Sequence, residues 1–234
     1  MTPGLPGTQG RRRIYLMRHG EVDYKFGGKG VLNPDAVELT NKGRNQAALM
    51  GEALANITFD LSAHTGLLRT KQTLNAALDG RDMPVEEIGG LREIRTGRFA
   101  ELTPERIEAE FVYGFETAHL PGACFAGGEL FAAFYNRIAD AMVTLLARND
   151  WTTALLVCHG GTNRAVLSWV THGGPEGMAS FEQDTGCLNV IDADVIDGEI
   201  IRCFVRTTNF TPYDPIKTGK YLTNMELYRL GRSG

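Results

Sequence analysis

Arg12-Arg13-Ile14-Tyr15-Leu16-Met17-Arg18-His19-Gly20-Glu21 is the stretch on which the reading of this chain turns. Ile14 to Met17 is a short apolar, β-prone run and reads as a buried strand. It stops at Arg18-His19-Gly20. Open α/β sheets gather ligands beyond the carboxyl ends of their strands, which is where these three residues fall. Arginine offers a rigid fork of donors for an anion, and histidine can be nucleophile, acid or base near neutral pH. Glycine permits a sharp turn and the close approach of a ligand. The triplet alone also fits a strand-end loop with a solvated arginine and a hydrogen-bonded histidine, so the decision comes from the rest of the chain.

A second strand ends the same way. Thr153 to Cys158 is wholly apolar and runs into His159-Gly160-Gly161-Thr162-Asn163-Arg164, from which a helix continues to Val170. In a parallel sheet two such strand ends lie on one edge, so His19 and His159 can converge. Between them, Thr40 caps a helix with apolar residues at helical spacing from Gln46 to Leu54. Phe59 to Ala63 reads as a strand leading into His64-Thr65-Gly66-Leu67-Leu68-Arg69-Thr70-Lys71-Gln72-Thr73, whose later part is helical. Arg69 thus falls near a helix N-terminus, which favours anions.

Pro84 to Ile88 is a further short strand, followed by Leu91-Arg92-Glu93. Thr103-Pro104 has the cap-then-proline start of a helix. Leu130 to Leu146 is an amphipathic helix. Cys187 to Ile191 and Ile200 to Val205 complete the strands. Strands alternating with helices define an α/β fold: three layers, with a mostly parallel, doubly wound sheet and helices on both faces. Residues 95–127 read as a small helical insert over the active-site edge. Residues 1–11 read as a loose N-terminal tail, and 12–234 as one domain ending in an extension, 207–234, whose place is not legible. The polar, Gly-rich stretch from Glu21 to Glu38, with Asp23, Tyr24, Lys25 and Lys29, reads as a long loop of the kind that often carries function.

Composition is ordinary for a globular protein: 43% hydrophobic, 22% charged and a formal net charge of −4. That mildly acidic balance argues against a nucleic-acid or membrane-surface partner, so an anion site must be a local positive pocket. Cys124, Cys158, Cys187 and Cys203 show neither metal-ligand nor disulfide spacing. The expected setting is a reducing cytoplasm. Apolar positions in the extension leave two uses open, a contact in a homodimer or cover for the core.

Four ordered blocks, spanning Ile14 to Val205, resemble the histidine phosphatase (phosphoglycerate mutase-like) superfamily. They are Arg18-His19-Gly20-Glu21, Leu68-Arg69-Thr70-Lys71-Gln72-Thr73, Leu91-Arg92-Glu93 with Gly97, and Cys158-His159-Gly160-Gly161-Thr162-Asn163-Arg164. The resemblance implies that His19 is a nucleophile forming a phosphohistidine. Arg18, Arg69, His159 and the Gly160 N–H would bind the phosphate, and Glu93 would be the proton donor. Glu21, Asp23 and Glu101 are alternative acids. No metal or cofactor is implied, and the partner is a small phosphate ester. A mutase and a catalytically quiet binding module on the same fold are the rival readings. His64 stands where the family often has a hydroxyl residue, and Lys25 near a family Asn. His64, His119 and His172 match no catalytic position. Arg95 and Arg98, close to Glu93 in sequence, suggest a substrate with a second anionic group.

Overall fold

The computed structural model describes residues 10–24, 34–98 and 101–230. Six strands form one sheet in the order β3-β2-β4-β1-β5-β6. They are β1 (Arg11–Arg18), β2 (Leu61–His64), β3 (Val85–Glu87), β4 (Thr153–Cys158), β5 (Leu188–Ile196) and β6 (Glu199–Phe210). β3, β2, β4 and β1 run parallel, whereas β5 pairs antiparallel with both β1 and β6. The sheet is therefore mixed, with the parallel part holding the histidine-bearing strands at its centre. The antiparallel end follows from the Asp197-Gly198 turn, whose residues take φ of 52° and 82°. Two left-handed residues between paired strands make the tight hairpin that Asp-Gly favours.

Alternation along the central strands divides the core. Ile14 and Leu16 of β1, with Ala154 and Leu156 of β4, face one side, where they pack with Phe131, Ile138 and Val166. Those residues come from α4 (Phe131–Ala147) and α5 (Gly160–Val170). Tyr15, Met17, Leu155 and Val157 face the other side and meet Met50 and Leu74. These belong to α1 (Asn41–Ala53) and α2 (Leu68–Leu78). β1 and β4 are buried on both faces, which is why they read as unbroken apolar runs and not as alternating ones.

Several boundaries differ from the sequence reading. β1 begins at Arg11, and the Gly10 carbonyl accepts from the Val195 N–H, so the start of β1 is tied to β5 from residue 10 onward. The rest of the proposed tail, 1–9, lies outside the described residues, as do Lys25 and Lys29 of the loop. β6 continues to Phe210, so the extension starts there and not at 207. Thr40 and Thr103 cap their helices as expected, each accepting a backbone N–H with its side chain. The insert is less regular than one helix: α3 (Pro104–Ile107) passes into a π-helical turn at Glu108–Val112 and a 3-10 turn at Gly114–Thr117. Its rings Phe111, Phe115 and Phe125 pack together with Phe131 of α4, centroids 5.3 to 5.9 Å apart. The extension ends in α6 (Asn224–Arg229), which starts with a capping box formed by Thr223 and Glu226. Tyr228 of α6 stacks edge-on against Phe111, so insert and extension are packed together.

Candidate active site

Both histidines sit directly after adjacent parallel strands whose last residues, Arg18 and Cys158, are paired. The His19 N–H donates to the Cys158 carbonyl at 3.0 Å, locking the two strand ends in register. The rings meet edge-to-face with centroids 5.3 Å apart. Both residues are buried. At Gly20 the chain passes so close to α1 that an added Cβ would lie 2.3 Å from the Gly43 carbonyl oxygen, which explains the glycine in the strand-end turn.

Each imidazole is oriented by one nitrogen. His19 Nδ1 lies 2.8 Å from the Gly20 carbonyl oxygen, an acceptor only, so Nδ1 carries the proton and Nε2 keeps a lone pair. His159 Nε2 lies 2.8 Å from the Thr65 hydroxyl, itself 3.2 Å from the Thr70 hydroxyl. The Thr70 hydroxyl donates to the Leu67 carbonyl at 2.7 Å. Every contact in that chain is satisfied when His159 Nε2–H donates to Thr65, Thr65 to Thr70, and Thr70 to Leu67. His159 Nδ1 is then the nitrogen left for a ligand. It is buried and has no hydrogen-bond partner among the described residues, as is the Arg18 Nε. Orphaned buried polar atoms are costly in an empty fold and cheap when a ligand satisfies them.

Arg18 is held by donation from one terminal nitrogen to the Gln183 carbonyl at 2.6 Å. Arg69, in the first turn of α2, is buried, with its guanidinium 6.0 Å from the Tyr24 ring centroid. Burial depresses the pKa of His19 well below its ordinary value, and Arg69 and Arg18 push it further down. The same three influences, burial first, act on His159. Both imidazoles are therefore neutral in the empty site. Gly160 opens α5 immediately after His159 and lies against Arg18: an added Cβ would rest in ordinary contact with it, 3.4 Å from Nε.

Glu93 reaches the same helix start. Its carboxylate accepts from the N–H groups of Gly161 at 3.0 Å, Thr162 at 3.1 Å and Ile94 at 3.0 Å. This is the position a helix N-terminus offers an acid. A side chain at 161 would displace Glu93, since a Cβ there would be 2.5 Å from the Glu93 carboxylate. Two of the competing acids are engaged elsewhere: buried Glu21 pairs with Lys42 and accepts from the Thr40 hydroxyl, and Glu101 pairs with Arg98 at the surface. Arg18, Glu93, Gly160 and Gly161 line one cleft.

The structure thus brings together His19, Arg18, Arg69, Glu93, His159 and Gly160. It does not bring in Arg95 or Arg98, whose side chains are 80% and 85% exposed and paired with Glu129 and Glu101. The sequence-based suggestion of a second anion held by them has no support in this geometry. His64 accepts from the Gly66 N–H at the end of β2, and His119 and His172 are exposed. Sequence reasoning missed Thr65 and Thr70, although both lay in the 64–73 stretch that holds Arg69. It also missed Arg164, Glu182, Asn224 and Met225, which line the outer cleft. For Asn224 and Met225 no sequence signal exists, because nothing local ties residue 224 to residue 182.

Residues 14–204 match the model of the histidine phosphatase superfamily, branch 1. The chain belongs to that superfamily and is an enzyme of its phosphatase type. It is 28% identical over 186 residues to the adenosylcobalamin/α-ribazole phosphatase of Salmonella typhimurium, covering 77% of this chain and 90% of that one. An acid phosphatase of Mycobacterium tuberculosis is 32% identical over 161 residues, 68% of this chain and 75% of the relative. Among solved structures, the α-ribazole phosphatase of Shigella flexneri superposes with a TM-score of 0.67 at 25% identity, covering 84% of this chain and 96% of that one. No helix among the described residues is long and apolar enough to cross a membrane.

Proposed function

We propose that this chain is a metal-independent phosphomonoesterase that hydrolyses a small phosphorylated metabolite through a phosphohistidine. The observation that carries the reading is the His19 tautomer: Nδ1–H is held by the Gly20 carbonyl, so the Nε2 lone pair is free to attack beside buried Arg69 and half-buried Arg18. In the first step Nε2 forms a bond to phosphorus as the ester P–O bond breaks, and Glu93 delivers a proton to the departing oxygen. Arg18 and Arg69 take the equatorial oxygens, whose charge is the main thing such a transition state requires to be stabilised. His159 donates from Nδ1 once the phosphate dianion has raised its affinity for a second proton. In the second step water attacks phosphorus and the N–P bond breaks. Glu93 takes the water's proton, and inorganic phosphate and the starting enzyme are regenerated.

Hydrolysis of an aryl phosphate in excess chelator, by the native protein and by His19→Ala, tests this. The expected outcome is chelator-resistant turnover that the variant lacks, with acid-labile phosphate trapped on the native chain only. Turnover that survives in His19→Ala would sink the proposal.

A further inference from the structure

Beyond the phosphate-binding end, the cleft wall is made of Ile94, Phe115, Phe125 and Met225, with Arg164, Glu182 and Asn224 among them. Arg164 is the one cation on that wall among the described residues, and it is fully engaged. Its guanidinium lies over the Phe115 ring, 4.9 Å from the centroid. One terminal nitrogen donates to the Met178 carbonyl and the other to the Glu182 carboxylate. The second Glu182 oxygen accepts from both the backbone N–H and the side-chain amide of Asn224. Arg164 is 7% exposed, so its charge is cancelled inside the wall and not left for a ligand. The outer cleft is therefore apolar, aromatic and electrically neutral.

Resting on the phosphatase reading above, we infer that Glu182 is a specificity-determining residue: held by Asn224 of α6, it withholds Arg164 from the ligand and restricts the leaving group to an uncharged alcohol with an apolar or aromatic face. A carboxylate or second phosphate entering this wall loses its water and finds no counter-charge, which is the most costly form of burial. A ring or alkyl face covers Phe115, Phe125 and Met225 and gains the ordinary stabilisation of apolar contact. The C-terminal extension thus has a part in substrate choice, through the hydrogen bonds by which Asn224 fixes the Glu182 oxygen that Arg164 does not hold.

The test compares two esters of primary alcohols, 2-phenylethyl phosphate and 3-phosphoglycerate, on the full chain. Native protein is expected to show kcat/KM at least tenfold higher for the phenylethyl ester. Glu182→Gln frees Arg164 and is expected to narrow that ratio at least tenfold, chiefly through a lower KM for 3-phosphoglycerate. Asn224→Ala keeps both charges and the backbone N–H to Glu182 but loses the side-chain amide bond that helps pin it, so it should shift the ratio the same way by a smaller factor. A native preference for 3-phosphoglycerate overturns the inference, as does an unchanged ratio in either folded variant. Should Glu182→Gln not fold, the Asn224→Ala ratio decides. Absence of turnover with both esters and with an aryl phosphate overturns the phosphatase reading itself, a result distinct from hydrolysis with the opposite preference.

Discussion

His19 and His159 face each other edge-to-face at 5.3 Å, buried, beside two arginines that oppose the protonation of either ring. An empty site of this kind is a positive cavity lined with neutral imidazoles, a state stabilised by the arrival of a phosphate dianion. Its titration gives the first prediction. With the His19 pKa lowered well below 6.5, the nucleophile stays unprotonated as the pH falls through 6.5. Arg69→Gln removes the larger of the two charge effects and should move the acid limb of kcat/KM to higher pH. The substrate's own titration is common to both proteins, so the displacement between their profiles is the quantity to measure.

The same histidines make the fold acid-sensitive. A buried imidazole with a depressed pKa takes up its proton more readily in the unfolded chain. Its contribution to stability is therefore complete above about pH 6.5 and is lost as the pH falls below it. The slope reaches about 1.4 kcal/mol per pH unit for each such group. His19→Asn should lose stability less steeply than the native protein between pH 6.5 and 5, as read by urea midpoints. Parallel slopes would mean that the native imidazole protonates without cost in the fold.

Thr65 is a positioning residue for His159. Thr65→Val removes the hydroxyl that accepts from Nε2 and leaves that nitrogen buried without a partner, at a cost of about 1–3 kcal/mol. kcat should drop roughly tenfold or more, with Thr65→Ser restoring most of it. Rescue by serine separates the hydrogen bond from mere packing, since serine keeps the oxygen and loses the methyl group.

Glu93 as proton donor has a signature in leaving-group dependence. Glu93→Gln should slow hydrolysis of alkyl phosphates far more than that of p-nitrophenyl phosphate, whose phenolate leaves without a proton. A general acid contributes about 10²–10⁴-fold when the leaving group needs one. Gly161→Ala should reproduce the same pattern in weaker form, because its Cβ would displace the carboxylate. Equal losses on both substrates would assign Glu93 to capping α5 alone.

Gly20 supplies a prediction about folding. The backbone of the Gly20 turn and that of Gly43 approach too closely for any side chain, and the clash is with main chain. Gly20→Ala must shift α1 or the turn, and should destabilise the protein by about 1–3 kcal/mol or more. Gly80, which faces open space at φ of 74°, is the control: alanine there carries backbone strain without a clash.

Much of the fold and site was legible because local physics and tertiary role coincide. Residues 14–17 of β1 and 154–158 of β4 are unbroken apolar runs because they are buried on both faces, so they stand out from the sequence. Thr40, Thr103-Pro104 and the His159-Gly160 strand end are local signals, and each marks a boundary the structure keeps. Arg18, His19, Arg69 and His159 each stand at a strand end or helix start marked by such a signal, whereas Glu93 was named through the resemblance of the four ordered blocks. The antiparallel end of the sheet was not read from the sequence, and the run lengths of β5 and β6 were underestimated where polar Asp192, Asp194, Arg202 and Arg206 interrupt the pattern. Those residues are ion-paired across strands, so their charge does not end the strand.

What only the tertiary structure decided concerns pairings between distant residues. Nothing local says that Thr65 accepts from His159, that Arg164 is neutralised by Glu182, or that Asn224 reaches back to residue 182. Nor does sequence proximity identify the charges near the cleft: Arg95 and Arg98 are close to Glu93 along the chain, yet exposed and paired elsewhere, while Arg164 is distant and buried in the wall. Periodicity and capping report how a segment meets the backbone and the solvent, and these are set within a few residues. Which polar groups satisfy one another in a buried site depends on the path of the whole chain, so the sequence by itself determined the strands, the helix starts and the chemistry-bearing residues. The packing of the β2–α2 segment against His159 decided its tautomer, and the meeting of α5, Glu182 and the extension decided the charge of the wall.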